Sequence, residues 1–487
     1  MLGTLILKEI HETIINLRFL IAALLCLILI PLGMYVSLKD YERSFEGYQT
    51  SMRLYQERTE GRIQPTNFEA EGYRPPSFLS IFASGLENYL PDKVITSSDG
   101  QFRVVNESGI DNPRSLISGK IDFYFIVSFV LSILALIFTF NSISGERENG
   151  TLKLIISNST PRWKIIIAKL IGNYTVFLAP LVVSLILMLL IVDLSSVVSV
   201  FSAELFPKIL VIFAVTFVFL LSMFNLGILF SALTRRAITS MVILLFVWVI
   251  FALVIPKISP MIAEIIYPIK SQQVIDLEKQ KVRSSINAEF ETKRQELYEK
   301  LLRDAGLREN PTGPARDDQT KQAMALYDEQ KNPLDNEYNA RVAEEIRKIE
   351  EDYTNKQNIQ SSITGYLSRI SPVYCFANIV SEISGTGILE MNNFKKHARL
   401  FQESVEVEIY DKVIVKEYST SSGSSVYAST VDGFEPGDAP VPHINDYKFV
   451  TLTEAFASVW IDILLLVFFN ILFFTTSFVS FIRYDVR

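Results

Sequence analysis

Six stretches of this chain are apolar over a length that only a membrane-crossing helix requires: Phe19–Val36, Phe123–Phe140, Ile171–Val192, Ile209–Leu233, Ile238–Ile255 and Phe456–Phe481. About 20 mostly apolar residues in a helix cross a hydrocarbon core of about 30 Å. With their flanks the spans are expected at 17–37, 122–141, 166–192, 208–233, 238–255 and 456–481. The first run is too long for a secretory signal core, and no small-x-small cleavage site follows it, so it is expected to be retained. Charged residues make up 20% of the 487 and cluster between the runs. That distribution fits a membrane protein with large polar insertions and not a soluble enzyme. The net charge of −7 averages over compartments and carries little information. No nucleic-acid partner is expected.

Lysine and arginine in the short loops set the orientation. Lys8 and Arg18, then Arg147, Lys153, Arg162, Lys164 and Lys169, then Arg235 and Arg236, and finally Arg483 and Arg487 fall on one side. The short connection 193–207 on the other side offers Asp193 and Glu204, with Lys208 as its one cation. Both termini, the loops 142–165 and 234–237 and the tail 482–487 are therefore expected in the cytosol. Segments 38–121 and 256–455 are expected outside it, in a multi-pass protein of a bacterial cytoplasmic (inner) membrane. Residues 1–16 read as an amphipathic helix. Leu2, Ile6, Ile10 and Ile14 recur every four positions while Lys8, Glu9, Glu12 and Thr13 fill other faces, a pattern suited to the headgroup layer and its lipids. A simple extension of the first span would instead place Lys8, Glu9 and Glu12 in lipid.

In the first outer segment, Ser98-Asp99-Gly100 reads as a turn, Gln101–Val105 as a strand, and Arg74-Pro75-Pro76 as an interruption. In the second, Ile275, Val282, Ile286, Leu297 and Leu301 form one helical stripe; Tyr338, Val342, Ile346, Ile349 and Tyr353 form another. Gly306–Asp318, with Pro311, Gly313 and Pro314, breaks between them. Two antiparallel helices over about 275–360 follow, either projecting from the membrane or folded back on the domain. Val405, Val407, Ile409, Val413 and Val415 alternate as in a half-buried strand within 400–450, and Thr420–Val441 reads as a loop. The expected fold class is membrane α-helical: six transmembrane helices after an amphipathic N-terminal helix, plus a mixed α/β extracytoplasmic domain containing a long helical hairpin.

The segment after the second span carries the chemistry. Glu146-Arg147-Glu148 precedes Gly150-Thr151-Leu152, an aliphatic run ends in Ser157, and Pro161, Arg162, Lys164 and Lys169 lead into the third span. Physically this is a surface helix that offers charges to a partner, with Arg162, Lys164 and Lys169 at headgroup depth, as Arg235 and Arg236 are after the fourth span. In this order of residues, and in the layout of six spans with outer loops after the first and fifth, the chain resembles the permeases of ABC-2 type ATP-binding-cassette transporters. It is most similar to a subfamily with large extracytoplasmic domains, through Ser371-Pro372-Val373-Tyr374 and Gly385-Thr386-Gly387. The resemblance implies that Glu146, Arg147, Glu148, Gly150, Thr151, Leu152 and Ser157 couple to a cytosolic ABC ATPase dimer, and that a second permease copy or a paralogue completes the pathway. The plain alternative is a helix that merely connects two spans.

No Gly-x-x-x-x-Gly-Lys-Ser/Thr occurs, so this chain has no phosphate-cradling loop. It is expected to bind no cofactor and to be no enzyme; ATP and Mg belong to the partner ATPase. No Ser/His/Asp or Cys/His constellation faces outward, and His11, His397 and His443 lie at no metal-ligand spacing, so no metal site is expected. Cys26 and Cys375 fall in dissimilar surroundings and are not expected to pair; Cys375 is a small buried residue or forms an intermolecular disulfide. Asp462, two turns into the last span, is costly there unless paired or wet; it is either functional or solvated near the outer headgroups. Asn141, Asn225 and Asn470 are expected to bond between helices, and Pro31 and Pro180 to kink theirs.

Three functions fit: an ATP-driven permease that exports or extracts a substrate, a lever that transmits ATPase strokes to a periplasmic protein without cargo, and an ion-coupled carrier using Asp462. The last lacks the internal repeat and midplane charges expected of such carriers.

Overall fold

The computed structural model describes residues 2–59, 69–97, 102–105, 121–152, 154, 161–195, 200–304, 317–408, 413–420, 423–430 and 447–483. Six helices are long and apolar enough to cross a membrane. Helix α1 (Leu2–Ile15) precedes the first of them, α2 (Leu17–Thr59). The second opens at Phe123, passes through a π-helical turn at Ile126–Leu131 and continues as α3 (Ser132–Thr139). Short helix α4 (Ser144–Glu148) leads to α5 (Arg162–Leu194), α6 (Leu205–Leu233) and α7 (Ala237–Val249). A second π-helical turn, Ile250–Val254, extends α7 into α8 (Ile255–Ile266), and α13 (Leu452–Ile482) is the last span. The expected spans are all present. The helices α2 and α7–α8 continue well beyond the apolar windows at 37 and 255, and they run through Pro31 and Pro260.

The chain forms two compact units, residues 1–255 with 369–487, and residues 256–368. In the first, α5 lies against α1 and α2, and α6 lies against α3 and α13. Aromatic rings fill the seams: Phe177 and Phe138 meet edge-on with centroids 5.4 Å apart, and Phe177 and Phe224 at 5.2 Å. Gly227 of α6 exists because α3 comes so close: a Cβ there would lie 1.8 Å from Thr139 Oγ1.

Beyond the spans sits a three-stranded antiparallel sheet in the order β1 (Glu69–Tyr73), β2 (Lys93–Ser97), β3 (Phe102–Val105). Glu69 faces Ser97 in the first pair, and Lys93 faces Val105 in the second. Helix α12 (Ile388–Glu408) covers the sheet with Phe394, Ala398, Phe401 and Val405 against Ala70 and Val94. This corrects the expected strand at Val405: positions 394, 398, 401 and 405 follow the helical period, and the local alternation of Val405 and Val407 is coincidental. The strand begins only at β4 (Val413–Thr420), which pairs with β5 (Gly423–Thr430), so part of the expected loop Thr420–Val441 is strand. Ser98-Asp99-Gly100 and 431–446 lie outside the described residues.

The second unit holds α9 (Gln272–Asp304) and α10 (Asp317–Ser368). Lys279 pairs with Glu350, Glu289 with Arg341 and Arg294 with Asp335, so one index rises as the other falls and the helices are antiparallel. Ile286, Phe290 and Val342 form the buried seam, with Val282, Tyr338 and Ile346 beside them. Phe290 stands one turn beyond Ile286 in the stripe that the sequence analysis followed.

Gly385-Thr386-Gly387 locks the two outer segments of the first unit together. Gly385 adopts φ +67°, Thr386 Oγ1 donates to the Ala83 carbonyl at 3.0 Å, and Leu86 N–H donates to the Thr386 carbonyl at 2.9 Å. A Cβ on Gly387 would strike the Glu382 carboxylate, which accepts from the backbone N–H groups of Ile388 and Leu389 at the start of α12. Burial raises the Glu382 pKa from 4.5 to about 7, against the pull of those two N–H groups. The folded chain therefore keeps this proton where the unfolded chain has lost it. The stability from Glu382 is fully present below about 4.5 and is lost as pH rises through about 7. Thermal unfolding in detergent across that window is expected to show the wild-type Tm falling relative to Glu382→Gln. Parallel curves for the two proteins would refute the assignment.

Candidate functional site

The segment after α3 forms a ledge at the basic end of the first unit, and its charges are used inside the chain. The backbone N–H groups of Ile143 and Ser144 donate to Ser231 Oγ of α6 at 2.9 and 3.0 Å. A side chain from a different span thus satisfies the opening of α4, where no intrahelical partner exists. The three residues that follow each reach a different helix. Glu146 accepts from Lys169 Nζ of α5 at 2.7 Å. Arg147 donates to the Thr234 and Ala232 carbonyls at 2.8 and 3.2 Å, a cation on the negative C-terminal end of α6. Glu148 accepts from the Ala237 N–H at 3.0 Å, a carboxylate on the positive N-terminal end of α7.

Lys169 is the hub. Its side chain is 3% exposed and sits between Glu146 and Glu9 of α1, the latter at 3.0 Å. An ammonium so deeply buried requires counter-charges, and these come from two separate segments. The helix α1 is held along α5 by further contacts. Thr13 Oγ1 donates to Asn173 Oδ1 at 2.6 Å, and Gly172 leaves room for Glu9 Cβ, which a Cβ at 172 would meet at 2.7 Å. Glu9 therefore faces a protein partner, where the sequence pattern had placed it among headgroups.

Leu152 turns inward and is buried with Ile143, Ile165, Ile166, Ile228 and Phe481. Gly150, at φ +74°, makes the bend that allows this, in the left-handed region that glycine enters without strain. Thr151 and Leu154 face outward, Leu154 with 71% of its surface exposed. Ser157 and Lys153 lie outside the described residues, as far as the latter's side chain and backbone are concerned. Arg162 donates to the Ile482 carbonyl at the C-terminal end of α13, repeating the arginine-to-helix-end contact of Arg147. Lys164 stacks over the Trp163 ring, and Arg235 and Arg236 are exposed.

Compared with known families, the sequence profile described as ABC-2 family transporter protein matches residues 4–486, nearly the whole chain. The chain belongs to the ABC-2 transporter family. No curated protein matches the chain. The ledge thus sits in the membrane-spanning subunit of an ABC transporter, a multi-pass membrane protein.

Deeper in the permease, a second polar site gathers around Asp462, which is completely buried. Arg369 donates to it through Nε at 2.9 Å and Nη2 at 3.0 Å, and Asn378 Nδ2 donates at 3.0 Å. The solvated reading of Asp462 is thereby corrected: the carboxylate is dry and paired. Asn378 lies on α11 (Pro372–Ile383), a short helix packed against α6, α13 and the π-helical turn after α7, and Arg369 lies in the turn just before it. Phe376 of α11 stacks on Phe219 of α6 with centroids 4.4 Å apart. Ser371 caps α11 by accepting from the Tyr374 N–H, and its Oγ donates at 2.6 Å to the carbonyl of Phe251, within the π-helical turn after α7. Cys375 is a buried free thiol on this helix, and Cys26 is buried and free in α2.

From sequence, Ser371-Pro372 is expected within the outer segment 256–455. The available signals were the Ser-Pro helix start and a mostly apolar helix of 12 residues, too short to cross a bilayer and suited to a re-entrant or core helix. Elsewhere, Asn225 Nδ2 donates to Asn470 Oδ1 at 3.0 Å and Asn470 donates onward to the Val218 carbonyl. Asn141 accepts from Arg18 at 2.7 Å, at the start of the first span.

Removing one partner of a buried ion pair strands the other, at a cost of about 3–5 kcal/mol, whereas replacing both with apolar residues is often neutral. Asp462→Ala is therefore expected to lower the Tm of the purified permease sharply. Arg369→Met combined with Asp462→Leu is expected to recover most of the loss. If the double variant is no more stable than the single one, the pair is not what holds α11.

Proposed function

We propose that this permease is driven by a separate cytosolic ABC ATPase dimer that docks on the α4 ledge. In this reading both termini are cytosolic, the sheet and hairpin are extracytoplasmic, and the protein resides in a bacterial cytoplasmic membrane. The complex exports a substrate or extracts one from the membrane, with a second permease copy or a paralogue across the pathway. The observation that supports this most directly is the wiring of Glu146, Arg147 and Glu148. They join one short ledge to α1 and α5, to the end of α6 and to the start of α7. A force on such a ledge is delivered to four helices at once.

ATP enters only through the partner, whose nucleotide-bound dimer favours one arrangement of the two ledges over the other. Thr151 and Leu154, exposed on the outer rim, offer the surface for docking, with Arg235 and Arg236 beside the start of α7. Glu146, Arg147 and Glu148 then act chiefly behind that surface and transmit its movement.

A second reading, force transmission to a periplasmic protein without cargo, draws on the hairpin of α9 and α10. It is a compact unit of its own, densely covered with ion pairs. ATPase stimulation by an external protein without flux would favour it over transport.

Docking and transmission separate in mutants. Thr151→Arg and Leu154→Asp are expected to reduce ATPase co-purification about tenfold, as a charge forced into a desolvated contact does. They should leave the permease Tm unchanged. Lys169→Met is expected to lower Tm while ATPase still binds. Undiminished ATPase recovery with both rim variants would refute docking at this ledge.

A further inference from the structure

Helix α12 gathers positive charge on a face turned away from the sheet. Its buried stripe is Phe394, Ala398, Phe401 and Val405. At about 100° per residue, Lys395, Arg399 and Lys396 fall roughly 90–190° around the helix from that stripe, with Ile388 and Asn392 in line with them. No acidic residue occurs between Glu390, which is buried, and Glu403. Lys395 is half-buried, and Lys396 and Arg399 are exposed. None of the three forms a hydrogen bond or salt bridge among the described residues. On the neighbouring sheet the cations are treated differently: Arg74 lies beside Glu87, and Lys93 and Arg58 beside Glu71. Lys395 and Arg399 are instead like charges one turn apart, an arrangement that destabilises a helix. Desolvation, and after it the charge of Arg399, lowers the Lys395 pKa. The three stand in the middle of α12, too far from its C-terminal end for the helix dipole to account for them.

The surroundings indicate what answers these charges. The first turns of α12 are stitched to the starts of two spans. Asn393 Nδ2 donates to the Lys448 carbonyl at 2.9 Å, and the Val450 N–H donates to Glu390 at 3.1 Å. Lys208 Nζ, in the first turn of α6, donates to the Val450 carbonyl at 2.8 Å. The charge of Lys396 acts on Glu454, in the first turn of α13. These helix starts lie at the opposite end of the bundle from the ledge, whose Arg147 and Arg162 hold the other ends of α6 and α13. Phe456 and Trp460 of α13 are exposed there, aromatic residues of the kind that mark a membrane–water interface. Glu454 precedes Trp460 by a rise of about 9 Å along the helix, which puts Glu454 and Lys396 beyond the hydrocarbon at headgroup level. Ile388 and Leu400, both exposed, flank the cations. Cations flanked by exposed aliphatic side chains at that depth match a lipid surface, which is anionic above and apolar below.

We propose that the outward face of α12 docks on anionic phospholipid headgroups of the leaflet away from the ledge. Lys395, Lys396 and Arg399 donate to the lipid phosphates, and Ile388 and Leu400 rest on the apolar layer beneath. The contact ties the sheet and the start of the last span to the bilayer surface. It is independent of ATPase docking and is tested without the ATPase.

The test uses the full-length permease in phosphatidylcholine nanodiscs containing increasing phosphatidylglycerol. Hydrogen exchange of the peptide covering 388–403 provides a readout local to α12, so lipid held by basic residues at the ledge end does not interfere. Phosphatidylglycerol is expected to slow exchange there in a saturable way. Lys395→Gln, Lys396→Gln and Arg399→Gln are each expected to raise the amount of lipid needed for half the effect about fivefold. The charge-conserving pair Lys395→Arg with Arg399→Lys should retain it. If Lys395→Gln disturbs α12 in phosphatidylcholine alone, the exposed Arg399→Gln carries the test. Protection indifferent to phosphatidylglycerol, or unchanged in the glutamine variants, overturns the proposal. So does equal protection by inorganic phosphate in phosphatidylcholine nanodiscs, which would assign the face to a free anion.

Discussion

An ammonium ion buried among apolar helices stays charged only if carboxylates surround it, and that requirement organises the basic end of this permease. Lys169 lies near the start of the third span, and its counter-charges Glu9 and Glu146 come from segments on either side of the first two spans. Satisfying one cation thus fixes the N-terminal helix, the ledge and α5 relative to one another. Arg147 and Glu148 extend the arrangement to the ends of α6 and α7, where exposed backbone groups and helix dipoles call for those signs of charge. Among the described residues of the ledge, Glu146, Arg147 and Glu148 each have a structural obligation.

The same logic recurs around Asp462, with the opposite charge at the centre. There the counter-ion arrives in the turn that leads into a helix too short to span, and Ser371, which caps that helix, also bonds the nearby π-helical turn. Non-helical or short-helical backbone among spanning helices is tolerated where neighbouring protein satisfies it. Ser371 supplies that satisfaction to the Phe251 carbonyl, Arg369 and Asn378 satisfy the Asp462 carboxylate, and the aromatic stack of Phe376 on Phe219 adds the apolar complement. The two polar sites lie on different sets of helices and share α6, which receives Arg147 at one end and α11 along its length.

How much of this was legible beforehand depended on the range of each signal. The spans and the hairpin stand out because apolar periodicity is local and repeats many times. The mistaken strand at Val405 shows the limit: four residues read alone alternate, and only the longer register through Phe394 and Ala398 reveals a helix. Helix α11 escaped notice because a short, mostly apolar helix inside a long polar segment looks like an ordinary soluble core. The charged pairs were unreadable for a different reason. Lys169 and Glu9 are 160 residues apart, and Arg369 and Asp462 are 93 apart, so each charge looks like an orphan until the fold places its partner. The triplet Glu146-Arg147-Glu148 stands out in the sequence as charged residues beside a glycine break, but its inward wiring has no local signature.

The uninterrupted length of α2 has a mechanical meaning. Its 43 residues form one helix of about 65 Å, twice what a bilayer core requires. The part that lies against α5 and the part beyond the first span therefore belong to the same helix. A tilt of only about 5° pivoted at the Arg18 end displaces the far end by roughly 5 Å, on the scale of a helical turn. A helix of this length gears a small tilt at one end into a larger displacement at the other, and Pro31, which lacks the N–H of the helical ladder, is the point along it where a bend costs least.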